Sequence, residues 1–269
     1  MPRIALGIEY DGSTFAGWQS QMHAHGIQAA VEAAVAQVAD HPAEVVAAGR
    51  TDAGVHAAMQ VVHFDTHAQR TERSWVLGAN ANLPKQVSVL WAREVSEDFH
   101  ARYSARSRSY TYFILNRGVR AALNARQITW VRQPLDHERM HAAAQVLIGD
   151  HDFSSFRAAE CQSRTPIRRL QSIAVARQGE MLILTVTANA FLHHMVRNIA
   201  GVLIAVGRGD RPIEWVAEVL SLRDRRRGGI TAPPHGLYLS AVEYDAALKL
   251  PSRAGQILGV ACPVPANQV

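Results

Sequence analysis

Cysteine is almost absent from this chain: only Cys161 and Cys262 occur in 269 residues, far apart and outside any CxxC spacing. A disulfide framework and a cysteine-based zinc site therefore have no support, and both thiols are expected to be free. No apolar run is long enough to cross a bilayer. Met1-Pro2-Arg3 leads straight into strand-like sequence, without the hydrophobic core of a signal peptide. The expectation is a cytoplasmic protein with no membrane partner. Low-complexity blocks and short-period repeats are missing. Lysine is scarce. Lys plus Arg total 28 against 23 for Asp plus Glu, a net charge of +5, and most of the cations are arginine. Arginine grips phosphate through a planar fork and stacks on bases, so this balance, with a pI of about 9.6, permits a nucleic-acid partner.

Metal-ligand patterns are also lacking. HExxH does not occur. His193 and His194 are adjacent in a run read as helix, where neighbouring side chains point about 100° apart and cannot chelate together. His63 and His67 straddle a strand end, where a spacing of four does not bring two imidazoles onto one ion. No metal is expected.

What is present reads as alternating strands and helices. "RIALGIEY" (Arg3 to Tyr10) alternates as a strand. "GIQAAVEAAVAQVAD" (Gly26 to Asp40) is an amphipathic helix. "MQVVHFDT" and "SVLWAREV" (Ser88 to Val95) are strands, with a helix near Arg73 to Asn80 between them. The second half repeats that order: strand Ser107 to Asn116, helix Asp136 to Gly149, a hairpin from Ser172 to Ala188 turning at Gly179, and a helical run Phe191 to Gly207. A short helix at Ile213 to Leu220 and a strand at Gly236 to Tyr244 complete it, and an internal duplication of α+β units follows. From Pro251 the sequence turns Pro-, Gly- and Ala-rich and reads as a tail.

"AAGRTDAGVHAAMQVVHFDT" places one carboxylate, Asp52, close behind Arg50 and just ahead of a strand. Asp before Ala-Gly is ordinary turn chemistry. Against that stand the charged Arg50, Gly49 and Gly54, which let backbone approach a ligand, and His56 just beyond. With no second carboxylate nearby, the alternative to a turn is a nucleophile or base. Arg197 falls in the apolar part of a helix, where a charge needs a partner: a structural ion pair, or Asp52 across a cleft. Tyr110 and Tyr112 share a strand face, for packing or for stacking on a base. The loop "YDGSTFAGWQSQ" exposes Phe15 and Trp18. The arginine clusters 102/106/108, 164/168/169 and 223/225/226/227 are solvated faces or a phosphate-tracking surface.

Taken in order, "YDGSTFAGWQSQ", "AGRTDAGVHA", "SRSYTYFILN", "DFSSFR" with "CQSRTPIR", "FLHHMVRNIAG" and "APPHGLYL" resemble the blocks of the bacterial tRNA pseudouridine synthase A family, from about Pro2 to Tyr244. The resemblance implies isomerisation of uridine to pseudouridine at positions 38, 39 and 40 of the tRNA anticodon arm, without metal or organic cofactor. It implies a homodimer of α+β chains. Each chain would have two pseudo-symmetric halves, residues 1–104 and 105–245, with mixed or antiparallel sheets flanked by helices around a basic cleft, and a tail from 246 to 269. Carried over by residue, the nucleophile falls on Asp52, the arginine beside it on Arg50, the basic partner on Arg197 and the base-stacking ring on Tyr110. The loop from Gly12 to Gln21 would touch RNA. From the arginine clusters, and not from the resemblance, Arg168 and Arg169 are expected to hold phosphate. The competing classes are a non-catalytic RNA-binding protein and a metal-dependent nuclease.

Overall fold

The computed structural model describes residues 1–19, 26–252 and 256–261. In chain order the first elements are β1 (Arg3–Tyr10), α1 (Ile27–Ala39), β2 (Val46–Ala47), β3 (His56–Asp65), α2 (Glu72–Asn82) and β4 (Val87–Val95). Then come β5 (Ser107–Asn116), β6 (Thr129–Val131), α3 (His137–Ala144), β7 (Gly149–Asp152), β8 (Ile167–Gln178) and β9 (Met181–Ala188). Helices α4 (Met195–Gly207) and α5 (Trp215–Leu222), strand β10 (Leu237–Glu243) and short strands β11 (Gln256–Ile257) and β12 (Val260–Ala261) complete the chain. This is an α+β protein with mixed sheets. It divides into two compact units, one of residues 1–106 with 238–257 and one of residues 107–237 with 258–269.

In the first unit the strand order is β4-β1-β3-β10, with β2 also on β3. β1 runs antiparallel to both β3 and β4, and β2 is antiparallel to β3, so β1 and β2 are parallel with β3 between them. That is a split βαβ arrangement with α1 as the crossover. The second unit repeats it with β5, α3 and β8, and β9 lies antiparallel between the two strands. The duplication expected from the sequence is thus a repeated topology.

Local sequence explains the elements. α1 buries Ile27, Val31, Ala34, Val35 and Ala39 on one stripe and stops where Asp40 takes a left-handed φ of 60°. Thr71 accepts the Ser74 amide to start α2, and Asp136 accepts those of Glu138 and Arg139 to start α3. β8 and β9 form the expected hairpin, Gln178 facing Met181 across a turn with φ +59° at Gly179. β9 is buried from Leu182 through Ala188.

Two expectations need correction. The helical run does not begin at Phe191: α4 starts at Met195, after His194 adopts a left-handed φ of 61°. His193 and His194 therefore sit in the preceding turn with ring centroids 4.0 Å apart, so the helix geometry used to separate them does not apply. The segment read as a tail is partly structured: the Val242 amide donates to the Ser252 carbonyl at 2.9 Å, and Ile257 is buried. Cys262 lies outside the described residues.

Buried His63 in β3 accepts the Ala101 amide through Nδ1 at 3.1 Å. Burial, helped by the Arg3 charge, drives its pKa from the usual 6.5 down to about 4. The folded state then holds fewer protons than the unfolded chain between those values. Its stabilising contribution is complete above pH 6.5 and is lost as pH falls towards 4. Thermal unfolding across pH 7 to 4.5 should show this decline, with a flatter profile for His63→Asn; equal slopes for the two proteins would remove His63 as the cause.

Candidate functional site

Asp52 sits in the loop between β2 and β3 of the first unit, half-buried, with Arg50 exposed beside it. The loop is fastened mainly through its backbone and through Thr51. The Tyr10 and Thr51 hydroxyls lie 2.7 Å apart in a buried contact, and the Trp18 amide donates to the Thr51 carbonyl at 3.0 Å. The Val55 amide closes a turn on the Asp52 carbonyl at 3.1 Å, and buried Gln60 donates to the Gly49 carbonyl at 2.7 Å. These contacts fix the backbone on either side of the carboxylate.

The loop after β1 packs against this segment. Asp11 caps a single 3₁₀ turn by accepting the Ser13 amide at 2.9 Å. The Gly12 amide donates to Nδ1 of buried His56 at 3.1 Å, and the His56 ring stacks on Tyr238 with centroids 4.6 Å apart. A Cβ on Gly12 would stand 2.0 Å from the Val55 carbonyl oxygen, and one on Gly17 2.7 Å from that of Thr51. Only glycine permits so close an approach. Past this contact, the Gly17 and Trp18 carbonyls accept the Ile27 and Gln28 amides, which satisfies the start of α1.

The expected exposure of both loop aromatics is corrected here. Trp18 is 2% exposed, its ring centroid 6.0 Å from that of Tyr10, so it is a support for the loop; Phe15 is half-buried. Of the expected loop region, Ser20 and Gln21 lie outside the described residues.

The second unit holds the remaining candidates. Tyr110 in β5 is 9% exposed and meets Phe191 edge to face with centroids 5.0 Å apart. Tyr112, two residues on, is fully buried: its hydroxyl donates to the Pro233 carbonyl at 2.7 Å and lies 2.7 Å from the Thr129 hydroxyl. Burial pushes its pKa up. Of the pair, Tyr112 is the packing residue. Arg197 is half-buried on α4, with Nε donating to the Ala232 carbonyl at 2.9 Å.

The arginine clusters divide by orientation. Arg168 is 9% exposed and spends its guanidinium inside the protein, on the carbonyls of Thr165 at 2.9 Å and Ile167 at 2.6 Å and on the Ser163 hydroxyl at 2.5 Å. Burial lowers its pKa. Arg169, on the opposite face of β8, is exposed. Arg108 is buried and donates to the Asn189 carbonyl at 3.0 Å; Arg225 binds Asn198, Gly229 and Thr231. Each cluster thus mixes internal clamps with outward charges, so only some of its arginines face outward. The supporting groups missed by sequence reasoning are Tyr10, Thr51 and Gln60; His56 stood out beside Asp52, but not as a buried support. For His56 and Gln60 a signal existed, because polar residues two or four apart on one face of an otherwise apolar strand need a reason to be buried.

The family described as tRNA pseudouridine synthase matches residues 7–104 and 143–245. A tRNA pseudouridine synthase A of Methylococcus capsulatus is 61% identical over 242 residues, covering 90% of this chain and 89% of that protein. Proteins of the same name from Coxiella burnetii and Pseudomonas aeruginosa are 56% and 54% identical, each covering 93% of this chain, and 96% and 88% of their own lengths. No helix among the described residues is long and apolar enough to cross a membrane. With the Asp52 loop in place and both stretches of the family present along most of the sequence, the chain belongs to the tRNA pseudouridine synthase A family, isomerases that act on tRNA uridine.

Proposed function

We propose that this chain converts uridine to pseudouridine at positions 38, 39 and 40 of the tRNA anticodon stem-loop, as a cytoplasmic homodimer. The observation that supports it most directly is the single carboxylate, Asp52, on a loop immobilised through Thr51. The reaction breaks the N1–C1′ bond, turns the freed uracil and forms a C5–C1′ bond; C5 loses its proton and N1 gains one. Substrate and product are isomers, so no oxidant and no activated water is consumed. Asp52 acts as nucleophile or base and is regenerated at the end. In this reading Arg50 and Arg197 are its basic partners. Tyr110 takes the target base once it has left its stack, and the outward arginines hold backbone phosphate.

Incubation with unmodified tRNA and mapping of the products tests this reading: pseudouridine confined to positions 38 to 40, undiminished by a chelator, is expected. Pseudouridine elsewhere would overturn the site assignment, unchanged RNA the catalytic reading, and RNA fragments would restore the nuclease alternative. Sedimentation equilibrium tests the dimer.

The opposite orientations of Arg168 and Arg169 separate binding from stability. Arg169→Ala is expected to weaken tRNA binding and lower its salt slope by about one phosphate. Arg168→Ala is expected to lower the melting temperature and leave that slope unchanged, since it removes internal hydrogen bonds. A salt slope that moved only with Arg168 would reverse the assignment.

A further inference from the structure

The turn from Phe99 to Ser104 in the first unit is fastened at most of its backbone polar groups. Arg3 Nη1 donates to the Phe99 carbonyl at 2.7 Å. The Ser104 amide donates to the His100 carbonyl at 2.8 Å, and the His100 amide donates back to the Ser104 hydroxyl at 2.9 Å. The Ala101 amide is taken by His63 Nδ1 at 3.1 Å, and the Tyr244 hydroxyl donates to the Ala101 carbonyl at 2.7 Å. The amides of Arg102 and Tyr103 both donate to His100 Nδ1, at 3.1 and 3.2 Å. Phe99 and Ala101 are buried beneath.

This scaffold presents two side chains outward. Tyr103 is 77% exposed, its ring over the His100 imidazole with centroids 4.3 Å apart and planes 34° from parallel. The exposed Arg102 guanidinium lies 5.6 Å from the Tyr103 centroid. In the same arginine cluster Arg106 pairs with Asp245, and Arg108 donates to the Asn189 carbonyl. An aromatic ring already supported from below loses little freedom when something stacks on it, and a cation beside it favours an anionic partner. Its neighbours Arg102, Ser104 and Arg106 are polar, which suits RNA better than an apolar contact with a second copy of the chain.

We propose that Tyr103 is a stacking platform for an unpaired base of the bound tRNA, with Arg102 beside it on the adjacent phosphate. The proposal rests on tRNA being the substrate. Stacking on an aromatic ring is tolerant of base identity and insensitive to salt, whereas a phosphate contact carries a salt dependence. The two side chains therefore leave different signatures.

The test measures tRNA affinity over a salt series for the wild type, Tyr103→Trp, Tyr103→Ala and Arg102→Gln, together with melting temperature and sedimentation equilibrium. Tyr103→Ala is expected to weaken binding about tenfold at every salt concentration, the order of one lost stacked base, with the salt slope unchanged. Tyr103→Trp is expected to bind at least as tightly as the wild type, and Arg102→Gln to lower the slope by about one. Wild-type affinity in Tyr103→Ala would overturn the proposal. So would a weakening traced to a lower melting temperature, which would make Tyr103 structural, or to a changed association state, which would assign the ring to a second copy. Failure of the wild-type protein to bind tRNA would overturn the substrate reading itself, and this proposal with it.

Discussion

Asp52→Asn is expected to lose turnover by a factor on the order of 10⁴ or more while folding and binding tRNA normally. The substitution keeps shape, removes charge and basicity, and turns one acceptor oxygen into an NH2 donor. The anchors described for the loop belong to Thr51, Gly49, Val55 and the Asp52 backbone, so they survive it. Binding is expected to hold or tighten slightly, since a negative charge facing RNA has gone. Arg197→Met is expected to cut turnover sharply and to cost about 1 kcal/mol of stability through loss of the hydrogen bond to the Ala232 carbonyl. If the guanidinium serves the carboxylate, the double variant loses little beyond Asp52→Asn alone. Single-turnover pseudouridine formation by the four proteins of this cycle decides the matter. Product from Asp52→Asn, after deamidation back to Asp is excluded, would overturn the nucleophile; strictly multiplicative losses would make Arg197 a structural or phosphate-binding residue.

The second large effect is expected at a residue that has no side chain. Gly17 has φ +99°, and a Cβ there would stand 2.7 Å from the Thr51 oxygen and 3.1 Å from both the Asp52 carbonyl carbon and the Ala53 nitrogen. Gly17→Ala therefore combines backbone strain with a push on the segment that carries the carboxylate, about 3 kcal/mol together. A displacement near 1 Å at a reacting group is worth about 10²-fold in rate, so turnover should fall that far in protein that still folds. Gly179→Ala separates the two causes, because Gly179 also has a positive φ, +59°, but nothing within 4 Å of an added Cβ. It should lose some stability and no activity. Equal kinetic losses in both variants would show that general loosening, and not displacement of the Asp52 loop, is responsible.

Periodicity made the strands and helices legible, because α1 and β1 each show one apolar face to a core. The limits of α4 were not. Phe191 and Leu192 continue its apolar pattern, and nothing local announces that His194 adopts a left-handed φ. Trp18 was misplaced for a related reason: the loop around it is polar, and its burial depends on the β2–β3 loop folding over it, a contact between segments more than thirty residues apart. The inward turn of Arg168 was available in the sequence. It shares a strand face with Leu170, which is buried, while Ile167 and Arg169 alternate outward. Its hydrogen bonds to neighbouring carbonyls explain how a guanidinium tolerates that side. The motif around Asp52 pointed to the site; the buried hydroxyl pair that steadies it joins residues 41 apart and carries no local signal.

The order in which the chain leaves the ribosome adds a constraint. β3, which follows the Asp52 loop, has β10 as its parallel neighbour, with Tyr238 opposite His56 and Leu239 opposite Ala57. Residues 107–237, which make the other unit, are synthesised in between. At translation rates of about 5–20 residues per second, the strand end next to the candidate nucleophile waits many seconds for its partner, with an unsatisfied edge. A nascent chain that stops short of Tyr238 thus lacks the ring that covers His56, and the surroundings of the candidate loop are completed only once Tyr238 has been made.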